Sequence, residues 1–137
     1  MAGPDELDTQ LTLRTAVARY EHLRTLESVT DDAMGDGHSE AGDLSEGQAL
    51  ELLALSEVIA RKAAYGRQLT IRSARRAGAS WSAIGKALGT SKQAAWEAHT
   101  RWIDDQAQQH QATGHSGLDE LQVARARRLA GRPEDLG

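Results

Sequence analysis

Apolar residues recur at steps of three and four along most of this chain, the spacing of a helix with one buried face. In the first segment Leu13, Val17, Tyr20 and Leu23 form such a stripe, extended by Leu7, Leu11 and Leu26. Pro4 with Asp5 and Glu6 suits a first helical turn, because proline loses nothing at N1 and acids favour the positive end of the helix dipole. The pattern predicts a helix from Pro4 to about Val29 with one face in need of a partner. Thr30 to Leu44 carries three glycines and five acids and little apolar content, which reads as a linker. Ser45-Glu-Gly-Gln48 then matches a capping box. A long helix is expected from Glu46 to about Ala77 through Leu52, Leu55, Ile59, Ala63 and Leu69, with Gly66 marking a bend or a break. Polar, glutamine-rich Asp104 to Gly117 reads as a second linker. A last helix, capped by Ser116, is expected over Leu118 to Ala130, with Leu121, Ala124 and Leu129 set against Arg125, Arg127 and Arg128.

The most informative stretch lies between the long helix and the second linker. Ser80 can cap a short helix over Trp81 to Leu88, Gly89 can end it with a positive φ, and Thr90 or Ser91 can cap the next, about Ser91 to Trp102. Two helices joined by so short a turn cross steeply, which requires small residues at the crossing and apolar residues turned inward from both. Gly85, Gly89, Ile84, Leu88, Ala95 and Ala98 fill those places in order, and Trp81 and Trp102 are expected in the core. The fold class is therefore all-α: a long helix followed by a helix-turn-helix, with an N-terminal amphipathic helix and a short C-terminal one. The corresponding division is 1–29, 30–44, 45–103 and 104–137.

Charge changes the picture more than composition does. The net charge is −4, yet residues 1–57 hold 3 basic and 13 acidic side chains, 58–103 hold 9 and 1, and 104–137 hold 4 and 6. A local basic block is the electrostatic footprint of a polyanion partner, whatever the whole-chain value. No apolar run approaches the roughly 20 residues that span a bilayer, and the acidic start lacks the features of a signal peptide, so a cytoplasmic protein with no membrane partner is expected. With no cysteine there is no disulfide framework and no thiolate chemistry.

On these residues Trp81-Ser-Ala-Ile-Gly-Lys-Ala-Leu-Gly-Thr-Ser-Lys-Gln-Ala-Ala95 resembles the tri-helical helix-turn-helix of bacterial transcription regulators, including the promoter-reading C-terminal region of sigma factors. It is also similar to small actinobacterial proteins of that class. The resemblance covers about 25 residues, and about 55 if Leu52 to Ala77 supplies the preceding helix. Thr90 departs from it, standing where the family usually has an aliphatic residue. The resemblance implies a protein of double-stranded DNA whose second helix enters the major groove. Ser91, Lys92, Gln93, Trp96 and Glu97 would then meet base edges. Gln93 is suited to adenine and Lys92 to guanine or phosphate, while Trp96, on the outward side, would meet a thymine methyl, a dimer seam or the long helix. Arg72, Arg75, Arg76, Ser80, Ser82, Lys86, Thr90 and Arg101 would grip the backbone. A single motif grips few base pairs, so a homodimer paired through the N-terminal stripe is expected; the acidic helix could instead compete with DNA for the basic face.

No catalytic, metal or cofactor site is expected. The histidines, at 22, 38, 99, 110 and 115, show no metal-binding helical spacing, Gly35-Asp-Gly-His38 is no phosphate loop, and no small-molecule ligand is evident. Two other readings of the same pattern are a helical protein-interaction module of adaptor or antitoxin type, and a non-specific nucleoid-associated protein.

Overall fold

The computed structural model describes residues 2–34 and 44–134, with the side chains of 2–27 and 44–134. These form six α-helices and no strand: α1 Pro4–Gln10, α2 Leu13–Met34, α3 Glu46–Arg76, α4 Trp81–Leu88, α5 Lys92–Thr113 and α6 Glu120–Ala130. Among the described residues no helix is long and apolar enough to cross a membrane. The chain divides into two compact units, residues 1–65 and 66–137, so the boundary falls inside α3 and not in a linker. The expected linker of 30–44 is helical to Met34, and residues 35–43, with the Gly35–His38 stretch, lie outside the described residues.

In the first unit the single expected helix is two. Leu11 is extended, and Thr12 and Thr15 cap each other's backbone, with Thr12 N–H donating to Thr15 Oγ1 at 2.9 Å and Thr15 N–H to Thr12 Oγ1 at 3.2 Å. This local exchange competes with helix continuation. The break resets which residues face inward. Ala16 and Leu23 of α2 pack with Leu52, Leu55 and Val58 of α3, and Leu7, Leu11, Tyr20 and Ile59 surround them. Of the stripe expected to pair with a second copy, Leu23 is buried and Tyr20 packs on this core within the chain, while Leu13 and Leu26 are left 41% and 38% exposed. Ion pairs border this core, among them Arg19–Glu51, Arg61–Asp5 and Lys62–Asp8.

The capping box at the start of α3 forms as expected: Gln48 N–H donates to Ser45 Oγ at 3.1 Å and Ser45 N–H to Gln48 Oε1 at 2.9 Å. The helix then runs without interruption through Gly66 to Arg76. In the second unit Ile71 of α3 packs with Trp81 and Ile84 of α4, Ala95 and Ile103 of α5, and Ala126 and Ala130 of α6. Trp81 is fully buried and Trp102 packs against this cluster, as expected of both.

Two elements differ in extent. The polar run after Trp102 is not a linker but the second half of α5, which ends at Gly114 in the left-handed conformation. Its Gln106 is buried, and the Gln106 carbonyl accepts from Leu118 N–H at 3.1 Å. The cap of α6 is Asp119, in a capping box with Gln122, and not Ser116.

Candidate nucleic-acid interface

The order of caps and breakers from Ser80 to Ser91 produces a tight corner. Ser80 Oγ accepts from Ala83 N–H at 3.1 Å and starts α4, and Gly89, at φ 73°, ends it. Ser91 Oγ accepts from Ala94 N–H at 3.0 Å and starts α5. Between them Thr90 N–H donates to Gly85 O at 2.8 Å. The turn passes so close to α4 that a Cβ on Gly85 would lie 2.8 Å from Thr90 O and 2.9 Å from Ser91 C. Only glycine permits that approach, because the atoms it would meet are backbone.

Of the residues expected to turn inward, Ile84, Gly85 and Ala95 do so, whereas Leu88 and Ala98 are exposed. The buried stripe of α5 is Ala95, His99, Ile103 and Gln106, at steps of four, four and three. Ala98 therefore stands about 100° of helix turn away from His99. His99 carries the weight assigned to Ala98. Its ring stacks on Trp102 at 5.5 Å, tilts against Trp81 at 5.7 Å, and donates from Nδ1 to Gln68 Oε1 at 2.8 Å. Burial, reinforced by the positive charges of Arg72 and Arg75, lowers its pKa to about 4.

The expected base-contacting residues separate. Ser91, Lys92, Gln93 and Glu97 are exposed on the first turns of α5. Gln93 Nε2 donates to Glu97 Oε1 at 2.8 Å, so the two amide and carboxylate heads engage each other across one turn. Trp96 does not share that surface freely. It is half-buried, packs against the core, and its indole N–H donates to Gly131 O at 2.8 Å, because the segment after α6 runs alongside it.

The expected backbone-contacting residues also divide. Ser82, Lys86, Thr90, Arg101 and Arg76 are exposed, while Arg72 and Ser80 are partly so. Arg75 belongs elsewhere: only 8% exposed, it donates from Nε to Leu129 O at 3.1 Å and from Nη1 to Ala79 O at 3.0 Å. A guanidinium committed to two backbone carbonyls holds α6 onto the end of α3 and is not free for a phosphate.

No family model, curated protein or solved structure matches this chain.

The charge division sharpens when counted by unit. Residues 1–65 hold 5 basic and 13 acidic side chains, and residues 66–137 hold 11 and 7, a net of −8 against +4. Arg61 and Lys62, members of the basic block in sequence, are paired with acids of the first unit. In exchange α6 brings Arg125 and Arg128, both exposed, beside Arg72 and Arg76. Their signal in the sequence was three arginines in the four residues 125–128, which helical periodicity alone reads as a solvated face. Among the described residues no group of histidines and acids could hold a metal ion.

Proposed function

We propose that this chain is a DNA-binding protein, a bacterial transcription regulator of the helix-turn-helix kind, that places the start of α5 in the major groove of double-stranded DNA. The observation that carries the reading is the corner at Gly85, where α4 and the turn into α5 meet backbone to backbone and present Lys92, Gln93 and Glu97 together on an exposed helix start. Gln93 and Lys92 read base edges; Ser91 sits at the helix N-terminus, where a phosphate or a base acceptor is favoured. Ser80, Ser82, Lys86, Thr90 and Arg101, with Arg72 and Arg76, take phosphates and set register. The net charge of the second unit supports an anionic partner. Such a protein works in the cytoplasm on the nucleoid and pairs as a homodimer; of the expected α2 stripe, Leu13 and Leu26 stay exposed while Leu23 is buried within the chain.

The test is a titration of the full chain on mixed genomic fragments at about 50 mM and 200 mM salt. Several phosphate contacts predict a loss of affinity of about a hundredfold or more between the two. No binding at the lower salt overturns the proposal. A second reading, a helical module for a protein partner, is supported by one feature: an apolar groove of about 320 Å³ between α3 and α4, lined by Ile71, Ala74, Ile84, Ala87 and the 37%-exposed Leu88. It takes precedence if the DNA titration fails.

A further inference from the structure

The last turns of α3 and α6 form the two walls of a groove of about 650 Å³. Arg72 and Arg76, four residues apart on α3, line one wall; Arg125 and Arg128, three apart on α6, line the other, with Gln122 one turn earlier. Residues at these spacings share a helix face. The groove contains no carboxylate, and among the described residues none of the four arginines has an ion-pair partner.

Helix C-termini favour cations, and that alone would explain one arginine at each end. It does not explain four guanidiniums converging on one concavity, where like charges repel. Arg127 provides the contrast within the same turn of α6. It faces away from the groove and pairs with Asp104 of α5 at 2.9 Å. The arginines that face α3 have no such relief.

The groove is also held open at a fixed width. Arg75 bonds α3 to the Leu129 carbonyl at 3.1 Å, and Trp81 Nε1–H donates to the Ala130 carbonyl at 2.7 Å. The two walls therefore stay in place without a ligand, and little ordering is required when one binds.

We propose that this groove binds adjacent phosphate groups. Guanidinium is always charged and presents a planar fork that matches phosphate oxygens two at a time. Four of them on two walls suit a chain of two or three phosphates better than a single one. That chemistry is shared by successive phosphates of a nucleic-acid backbone and by a free polyphosphate such as a nucleoside triphosphate tail. Binding of phosphates here stands independently of the helix-turn-helix reading; only the nucleic-acid source rests on it.

The probe is sodium tripolyphosphate, titrated calorimetrically into the full chain at low salt, with Arg125→Gln/Arg128→Gln and Arg127→Gln as variants. These side chains are exposed, and circular dichroism checks that each variant is folded. The expected result is saturable binding by the wild type and by Arg127→Gln, weakened at least tenfold in the double variant. Absence of binding by the wild type, or equal binding by the double variant, overturns the proposal. A parallel titration of a DNA duplex separates the sources. Loss of duplex affinity with a salt slope shallower by about two marks the backbone as ligand, at roughly 0.9 per phosphate neutralised. Unchanged duplex affinity beside lost tripolyphosphate binding marks a free polyphosphate. If the wild type binds tripolyphosphate but no duplex, the groove stands and the DNA-binding proposal fails.

Discussion

The Arg75 guanidinium lies over the face of Trp81, its central carbon 5.4 Å from the ring centroid, while its N–H groups bond the carbonyls of Leu129 and Ala79. One side chain thus ties the end of α3, the turn into α4 and the end of α6 to the same indole. Truncation strands two carbonyls and uncovers an aromatic face, at about 1 to 3 kcal/mol for an unmet buried polar group. Arg75→Ala is expected to lose about 2 to 4 kcal/mol of unfolding free energy in urea, and Arg75→Lys somewhat less, since an ammonium keeps the charge but not the fork. Stability within about 0.5 kcal/mol of wild type, the range of ordinary surface substitutions, would show that the side chain is not structural.

The corner between α4 and α5 makes a different demand. A methyl group at Gly85 would press on Thr90 O, Ser91 C and Lys92 N, the last at 3.0 Å, and backbone has no rotamer by which to retreat. Gly85→Ala is expected to cost about 1 to 3 kcal/mol, the range for overpacking a tight site. Gly89→Ala meets no neighbour but must hold φ at 73°, and should cost about 1 to 2 kcal/mol. Thermal unfolding of both variants checks this; an unperturbed Gly85→Ala would mean that the turn does not press against α4 at Gly85.

Why this corner was legible and its surroundings were not follows from the range of the interactions. Ser80, Gly89 and Ser91 act on backbone within three residues, so the sequence alone announces them. Arg72, Arg75 and Arg76 look equivalent in sequence, and only the position of α6 makes Arg75 a buried strut and leaves the other two at a groove. The periodicity of its own helix turns Trp96 outward, but the carbonyl that claims it, Gly131, lies 35 residues on. The second half of α5 carries no apolar stripe in the sequence because Gln106 is buried by tertiary contact despite its polarity. The local signal for its continuation is that no breaker stands between Trp102 and Gly114.

Gln93 Nε2 donates to Glu97 Oε1 at 2.8 Å, so the carboxylate restrains where the amide head points. Glu97 is also the single acid among residues 58–103. Under the DNA-binding proposal, Glu97→Ala frees Gln93 and removes a charge that repels phosphates. Affinity for mixed duplex at low salt should rise by about 3- to 10-fold, with the gain shrinking as salt screens the charge. Gln93→Ala should instead flatten the preference among sequences. A fall in affinity for Glu97→Ala would assign the carboxylate a direct contact, such as a cytosine amino group, and show that it does not hold Gln93 back.

His99 makes stability depend on pH. Its ring is neutral between Trp81 and Trp102, and its pKa is lowered from 6.5 to about 4, first by burial and then by Arg72 and Arg75. Between those values the unfolded chain binds a proton that the folded chain refuses, so stability falls as the solution is acidified. The contribution is complete above about pH 6.5 and declines by about 1.4 kcal/mol per pH unit toward pH 4. Glu51 acts lower: its hydrogen bond to Arg19 holds its pKa beneath 4.5, so what it adds is present above 4.5 and lost only below. Urea unfolding at pH 7 and pH 5 should therefore show wild type losing about 2 kcal/mol. His99→Phe keeps the aromatic volume without a titrating nitrogen; its stability is lower at pH 7, for want of the Gln68 bond, but nearly level across the interval. Equal losses in the two proteins would mean that His99 is protonated in the fold at pH 5 without penalty, and that its burial between the tryptophans is not what fixes its charge.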